Sequence, residues 1–141
     1  IIIGSGEEKE NLKKQIKSYG MEKHILLKEF KNNIFNYIFN SRLFVLTSNW
    51  EDPGFVIIEA AACNKLILSS NAESGPIEFV GNDQSGLIFK KNNFEQFQEK
   101  LIFALKNVDE KKIYEIKKNA KLKVKKYTIF NHSMKLIKLL D

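Results

Sequence analysis

Cysteine occurs once in these 141 residues, at Cys63, and proline twice, at Pro53 and Pro76. A single thiol excludes an internal disulfide and a cysteine metal cluster. We read Cys63 as a small core residue on a helix, not a nucleophile. Arginine is nearly absent, with Arg42 alone beside 22 lysines. With so little arginine, and no basic strand interleaved with aromatics, a nucleic-acid partner is not expected. No apolar run approaches the roughly 20 residues needed to span a bilayer. There are two histidines, His24 and His132, and both are expected at the surface. Internal repeats and Pro/Ser linkers that would divide the chain are also missing.

The hydrophobic fraction of 43% and charged fraction of 28% suit one globular domain with a proper core. The net charge of +6 is unevenly placed. Residues 1–89 carry nine Lys/Arg against eleven Asp/Glu, whereas residues 90–141 carry fourteen Lys against six Asp/Glu. The basic tail reads either as a solvated helical face or as a surface turned to anionic lipid. One thiol and no spanning run fit a cytoplasmic protein. The opening Ile1-Ile2-Ile3 reads as the interior of a buried strand, so we expect the C-terminal part of something longer.

Along the chain, strands alternate with helices. Gly4-Ser5-Gly6 leaves the first strand, and a helix loaded with Glu7, Glu8 and Glu10 follows, with Leu12, Ile16 and Tyr19 as its stripe and Gly20 as its end. His24 to Leu27 is a second strand, and a loop through Phe30 leads to a helix packed by Ile34, Phe35, Ile38 and Phe39. Strands are predicted over 42–46, 65–70 and 87–89. Later helices carry Phe94, Phe97, Leu101, Ile102 and Leu105, then Ile113, Ile116 and Ala120, then Phe130, Met134, Ile137 and Leu140. Asn93 is placed as the cap of the first of these. This alternation predicts a Rossmann-like parallel sheet flanked by helices, with ligands bound beyond the carboxyl ends of the strands. Gly4, Phe30, Ser48 and the loop of Glu51 all fall at such ends.

The chain is organised around Asn49 to Cys63. This stretch sits between the apolar runs Leu43–Leu46 and Leu66–Leu68 and reads as strand, loop, helix, strand. Trp50 is expected to pack at the rim. Pro53 and Gly54 mark the passage into a helix from about Phe55 to Cys63. Pro suits the first turn and Gly allows close backbone approach. Glu51 lies in the loop, and Glu59 lies about one and a half to two turns into the helix. A helix N-terminus presents unpaired N–H groups and partial positive charge to a phosphate. A carboxylate farther along can accept from hydroxyls. Diphosphate plus polyol describes a nucleotide sugar. Glu59 also stands among Val56, Ile57, Ile58 and Ala60 to Ala62, where an unpartnered charge is costly.

Glu51 and Glu59, with seven residues between them and Gly54 inside the interval, resemble the E-x7-E signature of group 1, family 4 retaining glycosyltransferases of GT-B fold. Four further stretches are similar to that family in the same order. Ile1 to Gly6 resembles its strand and Gly-x-Gly loop, and Asn40 to Ser48 the strand before the signature. Ser74-Gly75-Pro76-Ile77-Glu78 resembles its S-G-P-x-E turn and helix, and Ser85 to Phe89 its short final strand.

The resemblance implies transfer of a sugar from a nucleotide diphosphate sugar, with retention at the anomeric carbon, to a glycan or lipid-linked acceptor. It implies that Glu51 contacts sugar hydroxyls and that the backbone N–H groups of Gly54, Phe55 and Val56 hold the diphosphate or the sugar edge. Glu59 would take the ribose hydroxyls, with Gly4, Gly6, Phe30 and Ser48 lining the nucleotide cleft. Phe30 reads equally as a residue closing its loop, and Glu78 either contacts the donor or caps structure. No metal is implied, and the sequence has neither an Asp-x-Asp motif nor a His/Cys cluster. The base is expected to be uridine, with guanosine the other donor considered. Pro53, standing where the family has a residue with an N–H, removes one donor. The family's diphosphate-facing Arg and Lys, its acceptor domain and the first strand of its C-terminal domain would all fall upstream of Ile1. That leaves a gap between the Ile1 and Leu43 strands, and the last helix would cross to the absent domain. The competing readings are a GT-B nucleotide-binding module without transfer activity and a GT-B phosphorylase or epimerase.

Overall fold

In the computed structural model, which describes residues 1–140, the chain forms two compact units, Ile1–Ile34 and Phe35–Asp141. The first holds β1 (Ile2–Ile3), α1 (Lys9–Ser18) and β2 (Leu27–Lys28). The two strands pair in parallel, with Ile2 opposite Leu27. In α1, Glu10 in the first turn and Lys17 in the last complement the helix dipole. Gly20 ends the helical segment with φ +64, the left-handed conformation glycine adopts without strain. The expected buried strand is corrected here: none of residues 1–34 is buried, and Ile2 is 46% exposed. Two short strands and one helix have too little surface to enclose one another. The second strand begins at Leu27 instead of His24, because His24 N and Ile25 N both donate to Met21 O in a turn.

The second unit runs through α2 (Phe35–Asn40), β3 (Leu43–Leu46), β4 (Trp50–Glu51), α3 (Phe55–Ala62), β5 (Leu66–Ser70), β6 (Glu73–Ser74), α4 (Gly75–Val80) and β7 (Leu87–Phe89). It finishes with α5 (Phe94–Lys106), α6 (Lys111–Val124), a 3-10 turn at Lys125–Tyr127 and α7 (Ile129–Leu140). β3, β5 and β7 form a parallel sheet in that order, with Val45 opposite Leu68 and Leu68 opposite Leu87. All five residues of the central β5 are buried, as expected of a strand covered on both faces. β1 and β3 belong to different sheets.

Leu66 and Leu68 alternate to one face of β5 and cluster with Leu87, Phe89, Ala104, Ile113 and Ile116. Ile67 and Ser69, of the other parity, are equally buried, while Ile57, Ala60 and Ala61 are the buried face of α3. The predicted line Ile113, Ile116, Ala120 is the buried face of α6. On α5, Asn93 caps as expected, its Oδ1 accepting from Gln96 N at 2.8 Å. The stripe there is corrected: Phe97, Leu101 and Ala104 face the core, while Phe94, Ile102 and Leu105 are exposed. The small Ala104 lets that face approach the sheet, and Ile102 and Leu105 lie one residue round from it. On α2 only Ile38 is buried, and Phe35 and Phe39 are exposed. Met134 and Ile137 line up on α7, but no residue of that helix is buried. Among the described residues, no helix is long and apolar enough to cross a membrane.

Candidate active site

The site grows from the carboxyl end of β3. After Leu46 the chain leaves the sheet, and Trp50–Glu51 pairs as a short parallel ladder with Glu73–Ser74, Glu51 opposite Ser74. This ladder, which the sequence reading did not anticipate, joins the signature loop to the Ser74-Gly75-Pro76 turn. The two backbones then come closer still. A Cβ on Gly75 would lie 1.7 Å from Pro53 O and 2.4 Å from Pro53 C. Only a residue without a side chain fits. Ser74, just before it, holds φ +69, a strained value for a non-glycine residue of the kind that gathers at functional sites.

Glu51 is half-buried, and its Oε1 accepts from Ser48 Oγ at 2.6 Å. Ser48 O accepts in turn from Ser70 Oγ at 2.5 Å. Gly54 is buried in the left-handed region at φ +73 and is the residue before the first turn of α3. A Cβ there would lie 3.6 Å from Glu51 Oε2, so the second carboxylate oxygen faces the helix N-terminus. Ile57 N donates to Gly54 O at 3.0 Å, leaving the N–H groups of Phe55 and Val56 without a helical acceptor. Pro53 lies outside the helix, not in its first turn, because Gly54 holds the non-helical position between them.

Glu59 lies four residues into α3 from Phe55, a rise of about 6 Å. Its apolar sequence neighbours are not its spatial ones. Ile57, Ala60 and Ala61 turn to the core, while Glu59 shares the accessible side with Phe55 and Ala62. Its carboxylate is half-exposed and forms no hydrogen bond or ion pair with any described residue. The case for a partner therefore rests on position rather than on burial. Cys63 is half-buried just past α3, and Trp50 is 69% exposed, so neither packs as expected.

Glu78 is exposed on α4 and is engaged by residues of α6 and the 3-10 turn that follows it. Tyr127 Oη donates to its Oε1 at 3.2 Å, and Lys123 Nζ donates to Glu78 O at 2.6 Å and Phe79 O at 2.8 Å. Lys123 thereby caps the end of α4 and lies over the Phe79 ring. Burial holds its ammonium below the ordinary value, against the attraction of Glu78. Burial, and then Glu78, push the Tyr127 phenol up.

In the first unit, Gly4 follows β1 and Phe30 follows β2 at the same edge of their sheet, and Gly4 N donates to Lys28 O at 3.1 Å. An added Cβ at Gly4 or Gly6 would touch nothing within 4 Å, so no neighbour in this chain explains either glycine. Phe30 is 66% exposed and does not close its loop onto a core. Sequence reasoning missed Ser70 and the packing role of Gly75. The signal for Ser70 was present, since Ser69-Ser70 ends an otherwise apolar buried strand. Among the described residues, no three His, Cys, Asp or Glu side chains gather as a metal site. A cavity of about 290 Å³ near Asp83, Lys100 and Phe103 includes none of the candidate residues in its lining.

Parallel strands flanked by helices, with a glutamate-bearing loop stitched beside a helix N-terminus at the carboxyl edge, place the chain among the glycosyltransferases of GT-B fold. More particularly, it belongs to the glycosyl transferases group 1, whose family model matches residues 1–123. One relative is the Campylobacter jejuni N-acetylgalactosamine-N,N'-diacetylbacillosaminyl-diphospho-undecaprenol 4-alpha-N-acetylgalactosaminyltransferase, 30% identical over 123 residues. That alignment covers 87% of this chain and 34% of the relative, so the chain spans about a third of the relative's length. The structure of Anabaena HepE in complex with UDP superposes with TM-score 0.84 at 21% identity, covering 98% of this chain and 39% of HepE. The C-terminal domain of the Francisella tularensis group 1 protein LpcC gives 0.69 at 24% identity, covering 86% of this chain and 63% of that domain. These two likenesses establish the fold.

Proposed function

We propose that this chain binds the nucleotide diphosphate sugar of a retaining hexosyltransferase, and that the whole protein passes the sugar to a glycan or lipid-linked acceptor. The observation that carries this reading is the segment from Glu51 to Glu59. It sets a half-buried carboxylate, a left-handed glycine and two unsatisfied N–H groups around one helix N-terminus. The diphosphate would sit on the N–H groups of Phe55 and Val56, where the helix end favours negative charge. Glu51 would hold sugar hydroxyls with its second oxygen, and Glu59 would accept from the ribose. The bond from the anomeric carbon to the phosphate oxygen breaks with its electron pair on the diphosphate. The acceptor hydroxyl oxygen then bonds to that carbon on the same face of the sugar, and its proton passes to the departing diphosphate oxygen. Donors fixed before that charge develops are what such a step needs. We assign it no metal.

Uridine is supported as the base by the binding of UDP to HepE, and a lipid-linked acceptor by the diphospho-undecaprenol substrate named for the Campylobacter relative. The acceptor would be held by a preceding N-terminal domain. The lysines of residues 90–141 would suit the cytoplasmic face of a membrane rich in anionic lipid. The test is calorimetric titration of the whole protein with UDP, GDP and ADP, alongside Glu59→Ala. We expect UDP to bind selectively, and the substitution to weaken it about tenfold to a hundredfold, the value of a hydrogen bond to a charged group. Unchanged UDP affinity in Glu59→Ala would show that the ribose is held elsewhere.

A further inference from the structure

We infer that Ser48 and Ser70 are positioning residues for Glu51, a pair of hydroxyls that carries the geometry of the buried sheet centre out to the carboxylate. The inference rests on the role proposed for Glu51. Ser70 is the last residue of β5, the middle strand of the three, and is fully buried. Its hydroxyl donates to the carbonyl of Ser48 at 2.5 Å, fixing the backbone of the loop as it leaves β3. The Ser48 hydroxyl donates its one proton to Glu51 Oε1 at 2.6 Å, within the range of a charge-assisted bond. The Glu51 backbone is held independently by the ladder to Ser74. Backbone and carboxylate are thus each anchored, and Oε2 alone remains turned to the Gly54 side.

A glutamate side chain has three torsions and spreads over several rotamers unless something selects one. Here Ser48 makes the selection, and Ser70 places Ser48. The Ser48 proton is committed to Glu51 and is not available to a phosphate or a sugar. On this inference Ser48 acts through Glu51, its hydroxyl oxygen keeping only acceptor capacity. Preorganising a group that contacts the reacting sugar lowers the barrier without tightening the grip on the nucleotide.

The experiment uses the whole protein with Ser48→Ala, Ser48→Thr and Ser70→Ala. Release of UDP from UDP-hexoses and UDP-N-acetylhexosamines gives kcat, and calorimetry gives the Kd for UDP. Expected are a fall of about tenfold in kcat for Ser48→Ala, UDP affinity within about twofold of the wild type, and recovery of most of the loss in Ser48→Thr. Ser70→Ala should lower kcat in the same direction, with UDP affinity again held. UDP affinity falling in step with kcat would make Ser48 a direct donor contact and overturn the inference. So would an unchanged kcat in Ser48→Ala. A wild-type protein that neither binds UDP nor releases it would overturn the proposed function and this inference with it. A wild type that does both, with Ser48→Ala indistinguishable from it, overturns this inference alone.

Discussion

Replacing Gly75 by alanine adds one methyl group at the tightest backbone contact in the site. The new Cβ would stand 1.7 Å from Pro53 O, where contacts under 3.0 Å are essentially never found. One of the two loops must then recede by about 1.3 Å to reach even that limit. Neither partner is a flexible side-chain end. One is the carbonyl of the signature loop, and the other begins α4, which packs against β5 and buries Phe79 and Val80. Overpacking of this kind costs about 1–3 kcal/mol, and the backbone-to-backbone geometry puts Gly75→Ala at the upper end. The displacement reaches Gly54, the next residue after Pro53, and Glu51, two residues before it. A misplacement of about 1 Å at a reacting centre costs about a hundredfold in rate. Gly86→Ala is the control. Its Cβ would meet Ile67 O at 3.1 Å and Val80 Cγ1 at 3.3 Å, a crowding that small shifts relieve. We expect about 1 kcal/mol there and no change at the site. Thermal melts and UDP titrations of both variants separate the two. A Gly75→Ala protein with the melting midpoint and UDP affinity of the wild type would refute the close approach and the stitching built on it.

Two further predictions concern packing and pH. Ile113→Ala removes a fully buried side chain from the cluster around Leu66 and Leu87 and should cost about 2–5 kcal/mol, whereas Ile102→Ala, 44% exposed, should cost about 1 kcal/mol or less by urea denaturation. Equal losses would mean that α5 packs through its other side. Tyr127 keeps its proton above the ordinary phenol value of 10.0, by burial first and Glu78 second. The folded chain then holds a proton that the unfolded chain releases, so this contribution is complete below pH 10 and fades as pH rises through the raised value. In ultraviolet titration of the four tyrosines, Tyr127→Phe should remove the component that ionises last. A curve that keeps that component would place it on another tyrosine.

Much of this protein is legible in the sequence because its signals are local. The apolar runs at Leu43–Leu46 and Leu66–Leu68, the cap at Asn93 and the line Ile113, Ile116, Ala120 each follow from the periodicity or hydrogen-bonding chemistry of neighbouring residues. So does the start of α3 after Gly54, and with it the separation of Glu51 and Glu59 by two different surroundings. Where the sequence misleads, a local pattern meets a distant partner. Ile1 to Ile3 are apolar enough for a core that their own unit is too small to supply. Leu105 and Ile102 match a helical stripe, but the sheet meets α5 along Phe97, Leu101 and Ala104. The apolar residues beside Glu59 in sequence turn away from it once the helix is wound.

The sequence by itself determined the alternation of strands and helices, the parallel pairing this requires, and the place of Ser48 and Glu51 beyond the carboxyl end of β3, since each depends on spacing along the chain. Tertiary structure alone decided how the edge is held. The Glu51–Ser74 pairing, the contact of Gly75 with Pro53 and the path from Ser70 through Ser48 to Glu51 join residues about 20 apart in sequence. No periodicity records such a meeting, because it is set by where β5 returns the chain beside β3.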